Sequence, residues 1–154
     1  MMGWYLNISG HLGYDTDKLV RYALIHDLAE AYAGDVSALD AKARIGKPQR
    51  EEVALKRNAR EFPLAETIVD TVRGYEALID DEAKFIYALD KLMPMVMVYL
   101  ADGRTWREDN QGFKLMHECQ SPKIALSEPV SQLYDQLKIL LLSQPQLFGS
   151  RITT

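Results

Sequence analysis

The chain has 154 residues, of which 47% are hydrophobic and 26% charged, and its formal net charge at pH 7 is −4. This length suits a single domain with a real hydrophobic core. The acidic balance gives no general attraction for nucleic acid or anionic lipid. One cysteine, Cys119, excludes an internal disulfide and favours a reducing compartment. With no long apolar run and no secretory signal, we expect a cytoplasmic protein that binds neither membranes nor nucleic acid.

The N-terminal third predicts two helices joined by a loop. Residues 1–6 resemble the interior of a helix, with no capping residue before them. Residues 7–14 contain two glycines and predict a loop. Asp15 or Thr16 can then cap a second helix over about 18–32.

Turn-forming residues divide the middle of the chain. Gly34 ends the second helix, and residues 46–48 break the chain again. A charged amphipathic helix is predicted over 51–61, and a shorter one from Pro63 to about residue 73, closed by Gly74. The apolar positions of the helix over 51–61 are Val53, Leu55 and Ala59.

The C-terminal half contains the most apolar segment. Residues 81–100 predict a helix that continues past Pro94 and is buried in the middle of the domain. Residues 103–128 are polar and give no ordered prediction, and a last amphipathic helix covers about 130–142, with Leu133, Leu137 and Leu140 as its apolar positions. Because no segment alternates with period two and no linker divides the chain, the fold class is all-α, a single compact helical domain over 1–154.

A histidine and three acids are concentrated at the end of the second predicted helix. On a helix, Glu30 lies one turn beyond both His26 and Asp27, so the three side chains share one face. Asp35 follows just after Gly34. Buried charges cost several kcal/mol each unless they are paired or bound to a metal, so this group favours a functional site.

A further aspartate, Asp90, interrupts an otherwise apolar stripe of the helix over 81–100. Together with His26 and Asp27 it would give an imidazole and two carboxylates, a good ligand set for one divalent ion such as Mn, Co, Zn or Fe. Two simpler explanations remain open at this point. Asp90 can be a helix cap or half of an ion pair with Lys91 or with Arg21, and a His-Asp dipeptide often occurs by chance.

The motifs together resemble a known family. The segment ALIHDLAEAYAGDV, residues 23–36, resembles the HD superfamily of metal-dependent phosphohydrolases, and specifically its 5′-deoxynucleotidase branch. The likeness continues through REEVA at 50–54, GYE at 74–76, and the segment from EAKF to LDK at 82–91. It covers roughly residues 1–100, and it is much more specific than the dipeptide alone.

The resemblance implies an all-helical HD fold, a homodimer and a site around one divalent ion. His26, Asp27 and Asp90 match three of the family's metal ligands. Glu30 matches the acid thought to activate or orient the attacking water, and Asp35 matches the aspartate that supports the site near the leaving group. The chemistry implied is the removal of phosphate from a nucleotide, giving a nucleoside and inorganic phosphate. Which metal, Mg included, is left open.

The sequence departs from the family pattern at the first histidine, which belongs more than thirty residues before the HD pair. Only His11 precedes His26, and we interpret it as a surface loop residue. In the family that histidine would fall just upstream of Met1. The chain is therefore either truncated or degenerate at this ligand, and we favour truncation.

Several basic and aromatic residues offer weaker candidates for substrate binding. Lys47, Arg50 and Lys91 could contact phosphate, although exposed lysines and arginines are usually only solvated. Trp106 could line a base pocket, but packing on the domain is the expected role.

The leading function is thus a metal-dependent phosphohydrolase, most like a 5′-nucleotidase on deoxynucleoside monophosphates. One alternative is another HD hydrolase, acting on nucleoside triphosphates or phosphodiesters. The other is a catalytically silent HD module that works by dimerisation or ligand sensing.

Overall fold

The computed structural model describes residues 1–28, 30–34, 42, 45–61 and 65–149. All regular structure in these ranges is helical, with no strand, which confirms the all-α prediction. No helix among them is long and apolar enough to cross a membrane. The helices are α1 Met2–Ser9, α2 Thr16–Ile25, α3 Glu30–Ala33, α4 Lys47–Glu61, α5 Ala65–Glu76, α6 Asp81–Leu100, α7 Arg104–Glu108, α8 Phe113–Ile124, α9 Glu128–Leu142 and a 3₁₀ helix Pro145–Leu147.

The chain forms two compact units, Met1–Ala83 and Lys84–Thr154, and the boundary falls in the first turn of α6. In the first unit α2 packs against α1 and α5, and α4 packs against α3 and α5. In the second unit α8 packs on α9. Organisation as a single domain stays a prediction.

The helix expected at the N-terminus is present, but it extends to Ser9, so a loop beginning at residue 7 was wrong. The reason is the side chain of Asn7, which is 5% exposed. It donates to the carbonyl of Tyr14 at 3.0 Å and to Thr16 at 3.2 Å, and it accepts from the Tyr14 amide at 3.1 Å. Although asparagine is typical of turns, here it joins the end of α1 to the start of α2.

The predicted cap of α2 is confirmed, because the Asp15 carboxylate accepts from the Lys18 amide at 3.1 Å. A continuous helix to residue 32 was wrong, since α2 ends at Ile25 and α3 begins at Glu30. Between α2 and α3 the backbone makes tighter i to i−3 hydrogen bonds instead of helical ones. The Leu28 amide donates to the Ile25 carbonyl, and the Glu30 amide donates to the Asp27 carbonyl. Gly34, at φ +80°, ends α3 as predicted.

Two predictions around α4 are corrected. Pro48 lies in the first turn of α4, where the missing amide hydrogen costs nothing, so it does not break the chain there. Leu55 is buried as predicted, at 3% exposed, but Val53 is 67% exposed, and Ala54 beside it is buried instead. The predicted apolar face was therefore shifted, and the Ala59 side chain lies outside what the structure describes.

Gly74 does not close α5, which continues to Glu76; the predicted start at Pro63 lies outside the described residues. A Cβ at position 74 would lie 3.2 Å from the Tyr22 hydroxyl. The glycine therefore makes room for the Tyr22 ring, which packs 5.9 Å from the Tyr75 ring. Its role is packing between α2 and α5 rather than helix termination.

The long apolar helix is confirmed with the predicted bounds and with Pro94 inside it. Burial is confined to part of its length, because Met97 and Leu100 are 59% and 72% exposed. The phase predicted for α9 was partly wrong, since Leu133 and Leu140 are exposed while Leu137 is buried. The other buried residues of α9 are Val130, Tyr134 and Leu141.

Asp80 connects the start of α6 to α2 within the first unit. One oxygen accepts from the Ala83 amide at 2.8 Å, and the other lies 2.9 Å from the Tyr22 hydroxyl and 3.0 Å from the Lys18 ammonium. Partial burial would raise the pKa of the Asp80 carboxyl, but the bonds from Ala83, Lys18 and Tyr22 outweigh burial, and its pKa is lowered. The hydrogen bond to Asp80 in turn raises the pKa of Lys18.

Asp80→Ala is expected to lower the free energy of unfolding by about 1–2 kcal/mol at neutral pH, since it removes a cap and two bonds. A carboxyl whose folded-state pKa is lowered stabilises the protein above its unfolded-state pKa of 3.8, and that contribution disappears as pH falls through the lower folded-state value. In urea unfolding, the difference in the free energy of unfolding between Asp80→Ala and wild type should therefore be smaller at pH 3 than at pH 7. The control is Asp70→Ala, on the exposed surface of α5. An equal difference at both pH values, or an equal loss of stability in the control, would refute the stabilising role of Asp80.

Candidate metal centre

His26 follows the last residue of α2, where its amide still donates to the Tyr22 carbonyl at 3.0 Å. The ring nitrogen Nδ1 lies 2.9 Å from the Ala23 carbonyl oxygen, and the ring packs edge-on against Tyr75 at 6.2 Å. Since a carbonyl only accepts, Nδ1 carries the hydrogen and donates. This contact orients the ring and directs Nε2 away from Ala23, which is how metal-binding histidines are usually held.

The Nε2 atom of His26 lies 3.0 Å from Oδ2 of Asp27. This is the distance of an ion pair when the imidazole is protonated. An imidazole nitrogen beside a carboxylate oxygen is also a pair of donors that would fit one divalent cation. The side chain of His26 is 24% exposed but that of Asp27 is 62% exposed, so the expectation that Asp27 is buried was wrong.

Glu30 is the first residue of α3, after the turn, rather than one turn further along the helix that contains His26. Its Oε1 lies 2.8 Å from the Lys47 ammonium at the start of α4. The one-helix geometry expected for His26, Asp27 and Glu30 is therefore wrong. Asp35 lies outside the described residues.

Asp90 lies on the part of α6 that belongs to the second unit. Its Oδ2 is 2.6 Å from the Lys91 ammonium, which also lies 5.1 Å from the centre of the Tyr87 ring. The Asp90 side chain is 29% exposed, so it is half-buried rather than buried as expected. Of the simpler explanations for this acid, the ion pair with Lys91 is confirmed.

Within the described ranges, no three His, Cys, Asp or Glu side chains form a group that could hold a metal ion. Of the expected metal ligands, His26 and Asp27 lie side by side. The complete ligand set stays a proposal.

The weaker candidates have defined surroundings. Arg50 donates to the Ile45 carbonyl at 2.8 Å. Trp106 is 4% exposed and stacks on Phe148 at 5.0 Å, which confirms the packing role expected for it. His11 is exposed at φ +50°, as expected of a surface loop residue.

Sequence reasoning missed the groups that hold the pair in place. Nothing in the sequence marks the Ala23 carbonyl as the partner of Nδ1, because a backbone group has no sequence signal. Tyr75 belongs to the GYE motif, but the motif does not indicate that the Tyr75 ring packs against the His26 ring. The sequence also did not indicate that Lys47, a candidate for phosphate binding, pairs with Glu30.

The helical fold and the histidine–aspartate pair are both features expected of an HD domain. The family model described as HD domain matches residues 1–130. The chain belongs to the HD-domain family.

Among curated proteins, the chain is similar to 5′-deoxynucleotidases. It is 38% identical to 5′-deoxynucleotidase HDDC2 of Bos taurus over 77 residues, which are 49% of this chain and 38% of that protein. It is 36% identical to the Homo sapiens protein of the same name over 77 residues, again 49% and 38% of the two chains. It is 34% identical to 5′-deoxynucleotidase YBR242W of Saccharomyces cerevisiae over 89 residues, 54% of this chain and 37% of that protein. The match thus spans well under half of each relative, and no solved structure gives a significant match.

Proposed function

We propose that the protein is a metal-dependent phosphohydrolase that removes phosphate from nucleotides, most like a 5′-nucleotidase acting on deoxynucleoside monophosphates. The observation that carries this proposal is the 3.0 Å spacing between Nε2 of His26 and Oδ2 of Asp27, with Nδ1 held by Ala23. Membership of the HD family and the names of the relatives support it.

In this proposal His26, Asp27 and Asp90 hold one divalent ion. Such an ion, when bound, polarises the phosphate and makes its water more acidic. Glu30 orients the attacking water and accepts its proton. Asp35 supports the site near the leaving group.

Other parts of the proposal concern the substrate and the assembly. Arg50 and Lys91 are candidate contacts for the substrate phosphate, and for Lys91 this requires release from Asp90. We further propose a homodimer in the cytoplasm. The candidate metals are Mn, Co, Zn, Fe and Mg, since the ligand types accept all of them to some degree.

One observation favours the alternative of a silent HD module. Asp90 already binds a cationic partner, Lys91, at 2.6 Å, so this carboxylate has a counter-charge without a metal. A silent module would bind nucleotide or a second chain without releasing phosphate.

A hydrolysis panel tests the proposed function. The purified chain is incubated with deoxynucleoside monophosphates, nucleoside triphosphates and a phosphodiester, with each metal in turn. We expect phosphate release from the monophosphates, dependent on metal and abolished by a chelator. Release only from the triphosphates or the diester would favour a different HD hydrolase, and no release from any substrate would favour the silent module.

A further inference from the structure

Lys47 lies between two carboxylates at the start of α4. Its ammonium is 2.8 Å from Oε1 of Glu30 on α3 and 3.3 Å from Oε1 of Glu51 one turn along α4. The three side chains are only 18%, 22% and 25% exposed. This is a partly buried cluster that joins two helices, rather than a surface ion pair.

The burial of this cluster distinguishes it from its neighbour on the same helix. Lys56 and Glu52 form an i, i+4 pair at 3.1 Å, but their side chains are 66% and 48% exposed. Exposed pairs of this kind contribute little, because water screens them and both side chains lose freedom. Screening is weaker for Lys47, so its contacts restrict Glu30 more strongly.

Lys47 also stays charged in this position. Partial burial lowers the pKa of its ammonium group, but the hydrogen bonds to Glu30 and Glu51 outweigh burial, and the pKa is raised. The cluster of one lysine and two glutamates has a net charge of −1 when all three groups are ionised. A phosphate would therefore meet a lysine that is already neutralised, which argues against the phosphate contact considered from the sequence.

We propose that Lys47 is a positioning residue that fixes the direction of the Glu30 carboxylate and makes no contact with substrate. This inference rests on the proposed function of Glu30. The support is geometric: α3 has only four residues and ends at Gly34, so the contact from α4 restrains Glu30 where its own helix is short.

The first arm of the test needs no activity. NMR couplings report whether the Glu30 side chain occupies one rotamer or several. We expect one dominant rotamer in wild type, averaging in Lys47→Met, and one rotamer again in Lys47→Arg, which keeps the charge. Lys56→Met, the matched control, should leave Glu30 unchanged. Averaging already present in wild type, or none in Lys47→Met, would overturn the proposal.

The second arm measures kinetics with deoxynucleoside monophosphates. We expect Lys47→Met to lower kcat about tenfold, since a misdirected base forfeits part of its contribution. The KM and the metal affinity of Lys47→Met should stay within about twofold of the wild-type values. Lys47→Arg should recover most of the wild-type kcat. A raised KM with unchanged kcat would show phosphate binding and overturn the proposal. If wild type releases no phosphate, the proposed function fails, and the rotamer measurement alone decides whether Lys47 positions Glu30.

Discussion

His26→Ala is expected to lower nucleotide hydrolysis by at least about 100-fold, because the substitution removes an imidazole of the proposed ligand set. The ring is held by Ala23 and Tyr75 and directs Nε2 at Asp27. Phosphate release and metal content are measured on the same preparation, and both should fall together.

The matched control for this substitution is His11→Ala. His11 is exposed in the loop between α1 and α2 and should be dispensable. We expect wild-type activity and metal content in that variant. Wild-type hydrolysis by His26→Ala, or equal losses in both variants, would contradict the assignment of His26 as a ligand.

Gly103→Ala is expected to have the largest effect on stability, a loss of at least about 3 kcal/mol in the free energy of unfolding. Gly103 precedes α7 at φ +68°, and a Cβ there would lie 2.1 Å from the Leu147 carbonyl oxygen. That oxygen belongs to the backbone, so relief requires the 3₁₀ helix to move away from α7.

Gly13→Ala separates backbone strain from steric conflict. Gly13 has φ +75°, but a Cβ there would meet no atom within 4 Å. The left-handed conformation alone costs about 1 kcal/mol, so this variant should lose much less stability than Gly103→Ala. Chemical unfolding of both variants measures the difference, and similar losses would show that the contact with Leu147 is not the cause.

Sequence reasoning succeeded where one local signal determined the result. The apolar run of α6 fixed a helix with the predicted bounds, although Pro94 lies inside it. Asp15 is one of the two caps predicted for α2, Asp15 or Thr16, and the signal is local because its hydrogen bond is made three residues away. The motif around His26 and Asp27 predicts the HD family, and the family model matches residues 1–130.

It failed where a turn interrupts a helical pattern and where distant residues decide the role of a side chain. The sequence from 18 to 32 is compatible with one helix, yet tight turns at Leu28 and Glu30 interrupt it. Gly74 predicts a helix end, but its role is to leave room for the Tyr22 side chain of another helix. Asn7 predicts a loop because asparagine is typical of turns, but its hydrogen-bond partners, Tyr14 and Thr16, are seven and nine positions away. Such contacts leave no trace in the periodicity of the sequence.

The electrostatic environment of the site was also beyond the sequence. Glu30 was predicted to share a helical face with the metal ligands, and its partner Lys47 lies 17 residues further on. For Asp90 the sequence already allowed the ion pair with the adjacent Lys91, but it gave no sign that the carboxylate is 29% exposed. Side-chain pairing depends on which helices pack together, and composition and spacing do not determine this.

A metal titration of the Asp90→Asn variant tests most directly the proposal that His26, Asp27 and Asp90 bind one divalent ion. We expect wild type to bind one ion per chain. Asp90→Asn should weaken binding by at least about tenfold, with unchanged helix content. Equal affinity in wild type and Asp90→Asn would contradict the shared site.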